Sequence, residues 1–163
     1  MPKTYTPIAT YTVPVSTATS YTFSSIPNTY TDLVLICNLK ATTADSSIVV
    51  RLNGDGGTNY STTQMYGNGS AASSQRFTSD TVGYLSYGGF PTATFTSTIT
   101  NFMNYSNTTT YKTFICRGGF ASGYADTAVN LWRSTAAVSS MTLYAGNYFD
   151  VGCTFTLYGI LKA

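Results

Sequence analysis

The chain has 163 residues, with eight Lys and Arg against six Asp, no Glu and no His, and a net charge of +2. A length of that order fits one domain around one core, and a charged content of only 9% leaves hydroxyls and amides to cover most of the surface. Without histidine the chain lacks the usual acid–base group and nitrogen ligand; its basic residues are scattered along the sequence, which argues against nucleic acid, and no run approaches the ~20 apolar residues that span a bilayer.

Taken in chain order, short alternating runs are separated by turn formers. Residues 4–13 alternate, 19–23 follow, and in 33–39 the side chains of Leu33, Leu35, Cys37 and Leu39 share one face of an extended strand. Residues 48–52 form the next strand. The cluster Asn53-Gly54-Asp55-Gly56-Gly57 predicts a turn leading into a strand over 60–66. Residues 68–74, rich in Gly, Ser and Ala, read as a loop. Strands follow over 82–87, 94–105, 111–117, 129–132, 141–144 and 153–160, and Ala136-Ala137 gives the 134–140 segment its only support for a helical turn.

Ten or eleven strands in one domain over 1–163 predict an all-β fold: an antiparallel two-sheet sandwich, jelly-roll-like, or a flattened barrel. Residues 1–14, with prolines at 2, 7 and 14, read either as an extended arm lying along a neighbour or as a domestic edge strand. So many strands leave edges that need charge, proline, bulges or sister subunits to cover them. The N-terminus lacks an apolar signal core, so the chain is expected to be made and kept in the cytoplasm, or to leave only by lysis.

Candidate chemistry is sparse. The six Asp at 32, 45, 55, 80, 126 and 150 show no spacing that singles out a glycosidase pair. Residues 53–59 place oxygen ligands at alternate positions but lack the acidic density of a calcium loop, so Asp55 reads as a turn cap. Cys37, Cys116 and Cys153 lie among apolar strand residues and read as buried small hydrophobes; as metal ligands they would need Asp or water to complete the set. The Asn-x-Ser/Thr triplets at Asn59, Asn68, Asn104 and Asn107 read as turns. No cofactor and no metal is expected.

Tyrosine offers the one functional surface, because its ring stacks on a sugar or protein face while its hydroxyl stays hydrogen-bonded. Tyr84, Tyr87 and Phe90, beside Gly88-Gly89, are candidates for such a loop; the competing reading packs the tyrosines in sheets. Tyr5 and Tyr11 are further interface or packing candidates. Trp132, between Leu131 and Arg133, reads as a core or interface anchor.

The string Leu131-Trp132-Arg133-Ser134-Thr135-Ala136-Ala137-Val138-Ser139-Ser140-Met141-Thr142-Leu143, with Asn147-Tyr148-Phe149 and Phe155-Thr156-Leu157-Tyr158-Gly159-Ile160, resembles a group of tailed-bacteriophage virion proteins. The stretches from Phe23 to Leu33, Arg51-Leu52-Asn53-Gly54-Asp55 and Asn59-Tyr60-Ser61 are similar to the same group. The resemblance implies an accessory structural protein of the particle, a β-sandwich, commonly trimeric, found as capsid decoration (cement) proteins and as tail-fibre or tail-tip modules. It carries over a packing motif and no catalytic residue.

The resulting expectation is a non-enzymatic decoration protein on the capsid exterior, bound over junctions of the major capsid protein and to its own copies as a homotrimer, with no nucleic acid or membrane partner. The alternative is a tail-fibre module whose Tyr84–Phe90 region and 68–74 loop meet a host glycan. The lack of a coiled-coil or shaft segment favours the capsid.

Overall fold

A computed structural model describes residues 4–15, 17–43, 47–86, 89–120 and 123–161. It is all-β, with no helix among the described residues. The first six strands are β1 (Tyr5–Thr12), β2 (Ala18–Phe23), β3 (Asp32–Leu39), β4 (Ile48–Leu52), β5 (Tyr60–Gly67) and β6 (Ala72–Asp80). The remainder are β7 (Gly83–Ser86), β8 (Thr96–Met103), β9 (Lys112–Phe120), β10 (Tyr124–Trp132), β11 (Met141–Phe149) and β12 (Thr154–Ile160).

They form a jelly-roll-like sandwich of two antiparallel sheets, an eight-stranded one in the order β1-β12-β3-β8-β9-β10-β5-β6 and a four-stranded one in the order β2-β11-β4-β7. The period-2 patterns sort the side chains between faces. From the large sheet Leu33, Leu35, Cys37, Phe102, Phe114, Trp132, Phe155 and Leu157 point inward; Phe23, Ile48, Val50, Leu52, Met141 and Leu143 meet them from the small sheet. Threonine takes several of the outward positions. Thr10 bonds Thr156 at 3.2 Å and Thr22 bonds Thr142 at 2.9 Å, cross-strand pairs that tie neighbouring strands on wet faces.

Of the twelve strands among the described residues eleven overlap the alternating runs, with β10 and β11 extending beyond the expected 129–132 and 141–144. The exception is β6, whose first residues fall in the expected 68–74 loop and whose remainder lies outside every expected strand. Phe77 is its single large apolar residue, so an edge strand with polar residues on both faces leaves almost no periodic signal. The 134–140 segment is not helical: Ile26 N donates to Ser139 O at 2.9 Å and Val138 N to Tyr105 O at 2.9 Å, bonds to other parts of the chain that hold an irregular backbone with a bend at Ala136.

Tyr5–Thr12, within the stretch considered as an arm, is a domestic edge strand: β1 pairs with β12 from Tyr5↔Ile160 to Thr12↔Thr154. Its bulge between Pro7 and Ala9 interrupts the free edge, and the opposite edge, β6, carries Arg76 and Asp80. These are the devices that discourage a bare strand edge from pairing with stray chains.

Candidate functional site

The sequence blocks singled out above fold onto one another. Asn53 and Gly54 take positive φ (52° and 69°), and Asp55 N donates to Leu52 O at 3.0 Å, the geometry of an Asn-Gly type I′ turn. This turn does not close a hairpin. It passes the chain from β4 in the small sheet to β5 in the large one. Asp55 then serves as the expected cap, its Oδ1 accepting from Gly57 N (2.8 Å) and its Oδ2 from Asn59 Nδ2 (2.9 Å) and Trp132 Nε1 (2.7 Å).

The Asn53 amide pins the other block. Its Oδ1 accepts from Ser139 N (2.8 Å) and Ser140 N (3.1 Å), and its Nδ2 donates to Ala137 O (2.8 Å). Tyr60 stacks on Trp132, and its hydroxyl accepts from Leu52 N at 2.9 Å. Lys112, opposite Trp132 in the register, is buried; its ammonium donates to Thr110 O (2.8 Å) and Thr135 O (3.2 Å), and burial lowers its pKa. Trp132 is thus a core anchor, 2% exposed.

The expected tyrosine loop is not a single surface. Phe90 is buried in the core, Tyr84 is half-buried, and Tyr87 with Gly88 lies outside the described residues. Tyr84 stacks on Phe77 with centroids 4.6 Å apart. Its backbone is gripped from the large sheet: Asn130 Oδ1 accepts from Tyr84 N and Asn130 Nδ2 donates to Tyr84 O, both at 2.9 Å. An amide side chain here imitates a neighbouring strand. Tyr5 is exposed, edge-on to Tyr158; Tyr11 stacks on Tyr21 at 3.9 Å over Phe155, a packing role.

Each described aspartate is engaged locally. Asp32 accepts from Asn104 N, Asp80 from Thr81 N and Tyr84 Oη, Asp126 from Gln64 Nε2 and Ser86 Oγ, and Asp150 pairs with Lys40 at 2.9 Å. The thiols are buried, and that burial pushes Cys37 and Cys116 up to about 12 and raises Cys153. Among the described residues no three His, Cys, Asp or Glu gather as a metal-binding group.

The feature that sequence reading missed is the outer face of the large sheet. One outward row runs Thr10, Thr156, Ile36, Ile99, Arg117, Thr127, Met65, Ser74 across all eight strands. The next runs Pro7, Tyr158, Val34, Asn101, Ile115, Val129, Thr63, Arg76, and a third carries Met103, Thr113, Leu131 and Ser61. Met65 is 61% exposed, Val129 49% and Ile36 37%, with Ile115 and Met103 also open. Two shallow depressions lie on this face, one of about 620 Å³ beside Met65, Ala125 and Thr127, the other of about 330 Å³ between Arg76, Val129, Leu131 and Arg133. Strands about 4.8 Å apart and roughly seven residues long give eight of them an area of ~900 Å², close to the ~800 Å² one partner contributes to a standard interface.

A separate cleft of about 380 Å³ opens at the hairpin ends, lined by Asn68, Gly69, Phe120 and Tyr124 among others, with Tyr124 stacked on Tyr66 at 5.5 Å.

No family model matches the chain, and no curated protein matches it. Among solved structures it is similar to a galectin, LEC-6 of Caenorhabditis elegans, at 11% identity and a TM-score of 0.35, over 94% of this chain and 96% of that one. A likeness at that level carries no argument.

Proposed function

We propose that the protein is a non-catalytic structural component of a tailed-bacteriophage particle, a decoration protein that seats the outer face of its eight-stranded sheet on the head surface. The observation that carries this reading is the register-aligned array of exposed aliphatic side chains, Ile36, Ile115, Met103, Val129 and Met65, on the outer face of the large sheet. A monomer gains nothing by wetting such a patch, whereas a docked one removes it from water at about 25 cal/mol per Å² of apolar area. Repetition over a shell lets modest energy at each contact accumulate into head stability. The sequence resemblance to virion proteins supports the same reading, and copies of the chain around a trimer axis would cover the remaining sheet edges.

Heads assembled without the protein should form but open at lower temperature, and adding the purified chain should restore them. Unchanged head stability with lost adsorption to cells would contradict the proposal.

One observation favours the tail alternative: the Tyr66–Tyr124 stack and Phe120 beside the hairpin cleft offer ring faces of the kind a sugar stacks on. A glycan array decides it, since a specific carbohydrate hit lost on Tyr124→Ala would move the function to the tail.

A further inference from the structure

The eight basic residues are scattered in sequence, but three of them share one part of the large sheet's outer face. Arg117 on β9 stands opposite Thr127 on β10, Arg76 on β6 stands opposite Thr63 on β5, and Arg133 directly follows β10. Arg117 holds an outward row position, while Arg76, Arg133, Val129 and Leu131 line one depression of the outer face. By strand spacing and rise they surround Val129 at about 8 Å (Arg117), 10 Å (Arg76) and 14 Å (Arg133). Arg76 Nε donates to Thr63 Oγ1 at 3.2 Å and Arg133 NH2 to Ser61 Oγ at 2.6 Å, which leaves other donors of both guanidinium groups for a partner.

Among the described residues no exposed acid offsets them on this part of the sheet. The acids within β5, β6, β9 and β10 are Asp80 and Asp126: Asp80 accepts from Tyr84 Oη of the small sheet, and Asp126, which borders the depression beside Met65, is only 8% exposed and turns its Oδ2 inward to Ser86 Oγ and Gln64 Nε2.

We infer that the β9-β10-β5-β6 half of the outer face docks a non-self protein surface that carries carboxylates matched to Arg76, Arg117 and Arg133 around an aliphatic centre at Val129, Ile115 and Leu131. This inference rests on the docking reading above and names the chemistry of its partner. A second copy does not fit, since a two-fold contact through this face would set arginine against arginine with no acid between. Nor does nucleic acid, because the space between the cations is filled by aliphatic side chains, which neither stack on bases nor bind phosphate. Planar guanidinium groups grip carboxylates bidentately, so charge complementarity fixes register while the aliphatic centre supplies burial.

The test measures binding of the purified full chain to heads lacking it, at 50 and 300 mM salt, for wild type, an Arg76→Glu/Arg117→Glu/Arg133→Glu variant, the corresponding Gln variant in case charge reversal disturbs folding, and the Lys variant. Wild type should bind and weaken with salt; the Glu and Gln variants, melting near wild type, should lose affinity on the order of tenfold to a hundredfold, and the Lys variant should recover part of it. Charge-reversed protein that binds heads within twofold of wild type overturns the inference and leaves the decoration reading standing. If wild type binds purified tails instead of heads, and the variants lose that binding, the decoration reading falls and the acidic partner stands. Wild type that binds neither overturns both. A self-association lost in the variants, or head binding abolished by nuclease, overturns the inference in favour of a second copy or of nucleic acid.

Discussion

Trp132 and Asp55, 77 residues apart in sequence, are joined by a 2.7 Å hydrogen bond from the indole Nε1 to the carboxylate Oδ2. The bond ties the end of β10 in the large sheet to the turn leaving β4 in the small one, and the ring beneath it stacks on Tyr60. A buried indole needs its N–H satisfied, and the turn supplies the acceptor.

Separating ring from bond gives the first prediction. Trp132→Ala should cost about 3–5 kcal/mol of stability through the lost burial and the cavity it leaves. Trp132→Phe keeps most of the packing and strands one acceptor, so roughly 1–2 kcal/mol is expected. Urea unfolding followed by circular dichroism measures both; equal costs would contradict the division.

The carboxylate makes the second prediction. Burial opposes ionisation of Asp55, but hydrogen bonds from Trp132, Asn59 and Gly57, with Arg51 nearby, outweigh it and hold the group below the usual carboxylate range. A depressed acid contributes stability that is present above its unfolded pKa, about 3.9, and is lost as pH falls through its folded value. Asp55→Asn should therefore be less stable than wild type at pH 7, with the gap closing below about pH 4. The half-exposed position keeps the gap to roughly 1–2 kcal/mol. A gap independent of pH between 7 and 3 would remove ionised Asp55 from the account.

Alkaline pH should act through the thiols. Cys37 and Cys116 are held up to about 12 by burial, whereas an unfolded thiol ionises near 8.5. Their stabilising contribution is complete below that unfolded value and declines as pH rises towards the folded one. Each thiol should cost up to about 1.4 kcal/mol per pH unit in that window. A Cys37→Ala/Cys116→Ala variant should flatten the decline between pH 8 and 10.5. At pH 8 the native protein should leave a chromogenic thiol reagent unreacted, and unfolded protein should titrate all three cysteines.

Gly159 supplies a fourth prediction. A Cβ at this strand position would lie 2.3 to 2.5 Å from ring atoms of Tyr30, which covers the glycine. Gly159→Ala must displace that ring, and an overpacking cost of about 1–3 kcal/mol is expected. Gly159→Ala/Tyr30→Ala should then recover part of the loss in a double-mutant cycle, and strict additivity would show that the two do not meet.

Strand positions and the sandwich were legible because every second residue along most strands is apolar and turned inward, as in Leu33, Leu35, Cys37 and Leu39. The role of Asp55 as a turn cap was legible from Asn-Gly chemistry alone. Phe90 misled because an aromatic beside glycines resembles an exposed loop whether it points outward or inward, and only the facing sheet decides. The outer face was invisible for a different reason: Ile36, Ile115, Val129 and Met65 become neighbours only through strand order, and β3, β9, β10 and β5 are far apart in the chain. The same holds for Arg76, Arg117 and Arg133, whose scatter in sequence reads as the absence of a patch.

An image of the intact particle at a resolution that separates β-sheets would place the protein outright. This sandwich should lie on the head lattice, with the outer face of its eight-stranded sheet turned to the shell and Val129 at the contact. Density at the tail tip, or a head-bound sandwich with that sheet face open to solvent, would contradict it.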